Sequence, residues 1–166
     1  MTPELHRPLA AGAVPAGGQD YEVVATAAEC AALAARMQLP ALQALHCRFR
    51  LQPGLAGAVL AEGWLDARVV QTCVVTLEDF PATVAEHFSV RFVPAGTETD
   101  DLDPEAIDEL PYSGGVLDLG EAAAEQLALA LEPYPRAPDA PAAELGDPAD
   151  APASPFAELE KLRRRQ

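Results

Sequence analysis

The sequence predicts an α+β fold: an antiparallel β-sheet flanked by two or three helices, with an acidic loop and a flexible C-terminal tail. Three observations predict it. Apolar and polar residues alternate across residues 45–94, two segments carry helix N-cap signals ahead of Ala- and Leu-rich runs, and composition turns to Pro, Ala and Asp after residue 136. At 166 residues and 49% apolar content, the chain suits one domain with a real core plus a tail. The expected division is a flexible lead-in over 1–18, one α+β domain over 19–136, a disordered linker over 137–153 and a short amphipathic basic helix over 154–166.

The lead-in is rich in Pro, Gly and Ala, and Tyr21 to Ala25 then reads as a short strand. Thr26 with Glu29 fits a capping box, in which each side chain satisfies a backbone N–H left free at a helix start. A helix over 27–37 follows, and Pro40 stops it soon after.

Leu45, Cys47, Phe49 and Leu51 alternate with His46, Arg48 and Arg50, the period of a strand with one dry and one wet face. Pro53-Gly54 marks a turn. Val59 to Leu77 keeps the same period, as one long bent strand or as two split near Gly63 or Asp66-Ala67. Asp79-Phe80-Pro81 is expected to turn the chain, after which Val84 to Val93 alternates with Phe88, Val90 and Phe92 on one side. Short turns between such strands imply antiparallel pairing.

Residues 98–109 hold seven acids and read as a mobile surface loop. Asp118 with Glu121 is a second N-cap signal, since acids in a first turn face the positive end of the helix dipole. That helix is expected over 119–131, with Leu119, Ala123, Leu127, Ala130 and Leu131 on one face and Pro133 and Pro135 ending it. Beyond the linker, Ser154-Pro155 opens a short helix with Phe156, Leu159 and Leu162 at i, i+3, i+6.

The net charge is −15, and it is unevenly placed. Residues 98–135 carry eleven acids and no base, while Lys161, Arg163, Arg164 and Arg165 form a basic tip. Such a chain repels phosphate backbones at long range and attracts basic partners. No stretch approaches the ~20 apolar residues of a membrane span, and nothing at the N-terminus resembles a signal peptide, so the cytoplasm is the expected compartment.

Chemistry is hard to assemble from these residues. Cys30, Cys47 and Cys73 stand far apart with no C-x-x-C, and His46 and His87 form no H-x-x-x-H, so neither a metal site nor a cofactor site is expected. Cys47 and Cys73 fall on apolar strand faces and read as small buried hydrophobes. His46 and His87 fall on the opposite, wet face, away from any cysteine–histidine dyad. A pocket lined by Cys47, Cys73 and a histidine would be the sign of an enzyme; the expectation is that there is no catalytic set. Arg48, Arg50, Arg68 and Arg91 point to the wet face of the sheet, as ordinary surface arginines or as a small local patch for RNA.

Three stretches in order resemble one family. Gly63 to Glu78 (GWLDARVVQTCVVTLE), the acidic run leading into Val116-Leu117-Asp118-Leu119 and the helix ending Glu125 to Pro133, and Ser154-Pro155-Phe156-Ala157-Glu158-Leu159 are similar to the YceD proteins, the large ribosomal RNA subunit accumulation proteins of bacteria and plastids. With the spacing between them they cover roughly residues 20–166. The resemblance implies a role in synthesis, processing or stability of large-subunit ribosomal RNA, with no known catalysis. Many members carry a second cysteine three residues after the first; here that position is Thr76, so a C-x-x-C metal or redox site is not available.

The functional expectation is therefore non-enzymatic assistance in ribosome assembly. The acidic block, with Asp100, Asp101, Asp103, Glu105, Asp108 and Glu109, would engage a basic ribosomal protein or a large-subunit precursor particle, with ribosomal RNA contacted indirectly. Phe156, Leu159, Leu162, Arg163, Arg164 and Arg165 would add an apolar and cationic anchor. The alternative is direct RNA binding through the sheet arginines and the basic tip.

Overall fold

A computed structural model describes residues 3–99 and 107–141. In chain order the elements are β1 (Pro8–Ala10), β2 (Gln19–Val24), α1 (Ala27–Arg36), β3 (Ala41–Pro53), β4 (Val59–Thr72), β5 (Asp79–Pro94), β6 (Asp108–Tyr112), β7 (Val116–Asp118) and α2 (Leu119–Ala130). The α+β class holds. Strands β2 to β6 form one sheet in sequential order, and β1 pairs with β7 in a separate two-stranded ladder.

The alternation over 45–94 becomes three long strands. Val59 to Thr72 is one strand, unbroken at Gly63 and Asp66. The turn expected at Asp79-Phe80-Pro81 lies earlier, at 73–78: Asp79, Phe80 and Pro81 already pair with Thr72, Gln71 and Val70. Pro81 is tolerated in the strand because β6 reaches only Val90 to Pro94, so that part of β5 has a free edge.

The sheet is mixed rather than wholly antiparallel, since β6 runs parallel to β5. Parallel neighbours need a connection long enough to return the chain to its starting end, roughly a dozen residues; residues 95–107 supply it. The segment read as an acidic loop over 98–109 therefore ends as strand at Asp108 and Glu109, and its residues 100–106 lie outside the described residues. A loop reading was natural there because β6 (DELPY) shows no apolar alternation.

The segment 1–18, read as a flexible lead-in, is part of the fold over its described residues. Leu5 is fully buried, and Pro8, Leu9 and Ala10 pair with Asp118, Leu117 and Val116. Asp118 organises this junction. Its carboxylate caps α2 by accepting from Gly120 and Glu121 N–H at 3.0 and 3.2 Å, accepts Arg7 N–H at 2.9 Å, and meets the His6 ring. Gly120 has to lack a side chain, because a Cβ there would stand 2.5 Å from the Leu5 carbonyl oxygen.

The capping box of α1 is present as read, with Thr26 Oγ1 accepting from Glu29 N–H and Glu29 accepting from Thr26 N–H. Arg7 adds a two-pronged contact to the same carboxylate at 2.8 and 3.0 Å. Both helices pack on one face of the sheet, α1 on β3 and α2 on β4 and β5. The core between them gathers Leu33, Leu45, Phe49, Leu65, Val90 and Leu127. In its middle row Gly63 stands between Phe49 and Phe88. The rings close over it edge-to-face, with centroids 5.7 Å apart and planes at 79°.

A Cβ on Gly63 would fall 2.2 Å from Phe88 Cζ. Gly63→Ala is thus expected to cost about 1–3 kcal/mol through forced repacking, read as a lower urea midpoint with an unchanged m-value. A pH effect follows from Glu29, whose carboxyl the Arg7 guanidinium and the Thr26 N–H hold down from 4.5 to about 2. A carboxyl depressed in the folded state contributes stability that is present above pH 4.5 and lost as pH falls towards about 2. Glu29→Gln should flatten the stability profile across that window, measured by urea unfolding at each pH.

Candidate functional site

The face of the sheet opposite the helices is open, and its side chains come from even positions of β3 and β4 and odd positions of β5. Read across β2, β3, β4 and β5, one row is Asp20, Arg50, Glu62 and Ser89, and the next is Glu22, Arg48, Trp64 and His87. Arg50 binds Asp20 at 3.1 Å. Arg91 pairs with Glu109, its parallel neighbour on β6. The Arg48 guanidinium lies 4.8 Å from the centre of the Trp64 ring, with Glu22 opposite it on β2. His87 stacks on the same indole at 5.1 Å and 24°, and bonds Glu62 at 2.9 Å. Arg68 is exposed between Ala44 and Thr83.

The four sheet arginines do share one wet face, and three of them already have partners across a strand. Opposite charges side by side make this face close to neutral, unlike the uncompensated stripe that grips a phosphate backbone. The Arg48–Trp64–His87 row was not legible from the arginine spacing alone. The usable signal was Trp64, the chain's single tryptophan, at an outward position of a strand.

The three cysteines are buried and free. Burial, with a smaller push from Asp66, drives the Cys47 thiol up to about 12; burial and Glu29 also raise Cys30. Cys73 behaves differently. It opens the 73–78 turn, where its sulfur accepts N–H groups from Val75, Thr76 and Ala137 at 3.4, 3.5 and 3.4 Å. The Thr76 side-chain contact, followed by these N–H groups, lowers the thiol from 9.0 to about 7 even though the residue is wholly covered. Ala137 belongs to the segment after α2, which Val74 N–H also holds through the Pro135 carbonyl at 2.9 Å. His46 faces away from Cys47 on its own strand, and no cluster of three His, Cys, Asp or Glu side chains able to hold a metal occurs among the described residues.

Of the residues assigned to partner binding, Asp108 is exposed at the start of β6. Glu109 is only 12% exposed at its side chain, covered by the Arg91 that pairs with it and by Thr99, whose N–H donates to it at 2.7 Å. Asp100, Asp101, Asp103, Glu105, Phe156, Leu159, Leu162, Arg163, Arg164 and Arg165 lie outside the described residues. A groove absent from the sequence reading separates β5 from the end of α2, where Glu86 and Glu132 border apolar side chains.

Residues 61–163, more than half the chain, match the family model described as large ribosomal RNA subunit accumulation protein YceD. The chain belongs to the YceD family. The YceD match begins inside β4 and takes in β5, β6, β7, α2 and the Cys73 turn. The elements before it, β1 to β3 and α1, complete the core on which the YceD region rests. No curated protein and no solved structure matches the chain.

Cys73 is expected to be alkylated by iodoacetamide in the native state ahead of Cys30 and Cys47, because it sits in the 73–78 turn against the irregular residues 135–137, whereas Cys30 and Cys47 belong to the central core; peptide mapping over time reads the order. Its lowered thiol contributes stability that is present above pH 9 and lost as pH falls through about 7. Cys73→Ser should remove that rise between pH 7 and 9 in denaturant titrations.

Proposed function

We propose that this chain is a non-enzymatic factor in the synthesis, processing or stability of large-subunit ribosomal RNA, acting in the cytoplasm during ribosome assembly. The family description supports the process. The manner of action rests on one observation: three of the four sheet arginines, Arg48, Arg50 and Arg91, are matched by carboxylates or by the Trp64 indole, so the −15 charge dominates what a partner meets. A surface of that sign recruits a basic ribosomal protein, or a precursor particle through one, and contacts RNA indirectly. Asp108 and the acids at 100–105 supply the counter-charge in this reading.

Direct RNA binding is the second reading, favoured by exposed Arg68 and by the planar Arg48–Trp64–His87 row. Salt separates the two. Binding that neutralises several phosphates falls steeply with salt, with a slope close to −0.7 per phosphate on single strands.

Affinity capture of the full chain at low salt is expected to recover a basic large-subunit protein or a precursor particle, identified by mass spectrometry and RNA sequencing. Recovery of neither would overturn the assembly reading. Purified-chain binding to ribosomal RNA that weakens at least tenfold on Arg48→Ala with Arg68→Ala would replace the protein partner by RNA.

A further inference from the structure

The groove between β5 and the end of α2 is lined by Phe80, Ala82 and Val84 from the strand and by Ala130 and Pro135 from the other side. It continues past Leu131 and Pro133, with Glu86 and Glu132 bordering both parts. Leu129 stands on its lip with 73% of its surface exposed. A half-apolar channel rimmed by carboxylates suits an amphipathic segment with cations beside its apolar face.

We propose that this groove docks the chain's own C-terminal segment, residues 154–165, which lies outside the described residues. Phe156, Leu159 and Leu162 would fill the apolar part, and Lys161, Arg163, Arg164 and Arg165 would lie beside Glu86 and Glu132.

Two observations select this occupant. The first is where the chain leaves the fold. Pro135 and Arg136 both line the groove, Arg136 turning its guanidinium to donate to the Pro141 carbonyl at 3.1 Å, and the described residues stop at 141. Residues 142–155 then separate the exit from Phe156, and a random chain of that length would span roughly 20 Å on average. An anchor tethered so closely has an effective concentration on the order of millimolar, so even a weak contact is largely occupied. The second is charge. Four of the eleven Lys and Arg side chains stand within residues 161–165, while Arg7, Arg36, Arg48, Arg50 and Arg91 already face carboxylates or an indole and Arg68 lies on the opposite face of the sheet. The docking stands independently of which partner the chain serves.

Replacing Leu129 by p-benzoylphenylalanine in the full chain tests this, since the exposed side chain can be exchanged without disturbing the core. Irradiation is expected to yield a monomeric product joining position 129 to residues 154–162. Glu86→Lys with Glu132→Lys should cut that yield at least fivefold at low salt, and adding Arg163→Glu, Arg164→Glu and Arg165→Glu should restore it. Circular dichroism confirms that each variant is folded. Products joined to a second copy, a monomer without tail cross-links, or a yield indifferent to the charge reversal each overturn the proposal.

Discussion

Two helices cover one face of a five-stranded sheet and leave the other to water. Most of the structure follows from that inequality. The strands must be apolar on one side only, so the core is a single layer between sheet and helices. In its middle the Phe49 and Phe88 rings meet because Gly63 between them has no side chain. The uncovered face then has to be stable in solvent, and it is, through cross-strand charge pairs and the indole between Arg48 and His87.

A second constraint closes the molecule at the other end of the chain's path. Asp118 ends β7, caps α2 and binds Arg7 and His6, so one carboxylate joins the N-terminal segment to the last helix. Burial alone would push its carboxyl up, yet the Arg7 N–H, the His6 ring and the Glu121 N–H hold it below the ordinary range. Arg7 then reaches Glu29 at the start of α1, and Arg36 at the end of α1 reaches Glu121 in α2 at 2.7 Å. The two helices and the lead-in are thus linked by the same few charges.

These engagements also shape the functional reading. A protein with 26 acids and 11 bases has cations to spare only where they are not already paired. The fold places most of the described arginines next to carboxylates, which weakens the case for an RNA-gripping sheet and leaves acidity as the outward property. Cys73 keeps the cradle of N–H groups around a sulfur, while Thr76 stands three residues on where a second sulfur would be needed to share an ion.

The residues by themselves determined what depends on near neighbours along the chain. The capping box at Thr26 and Glu29, the N-cap at Asp118, the period-two strands and the YceD likeness are all local patterns, set by backbone geometry and side-chain reach over a few positions. Only the tertiary structure decided the rest. Three-residue β1 and five-residue β6 carry too few alternations to announce a strand, and they exist because distant partners, β7 and β5, offer them hydrogen bonds. The parallel direction of β6, the burial of Leu5, the row of Arg48, Trp64 and His87 and the groove beside Glu86 and Glu132 likewise arise between segments far apart in sequence. Pairing across such separations is settled by the packing of the whole sheet, which no local period records.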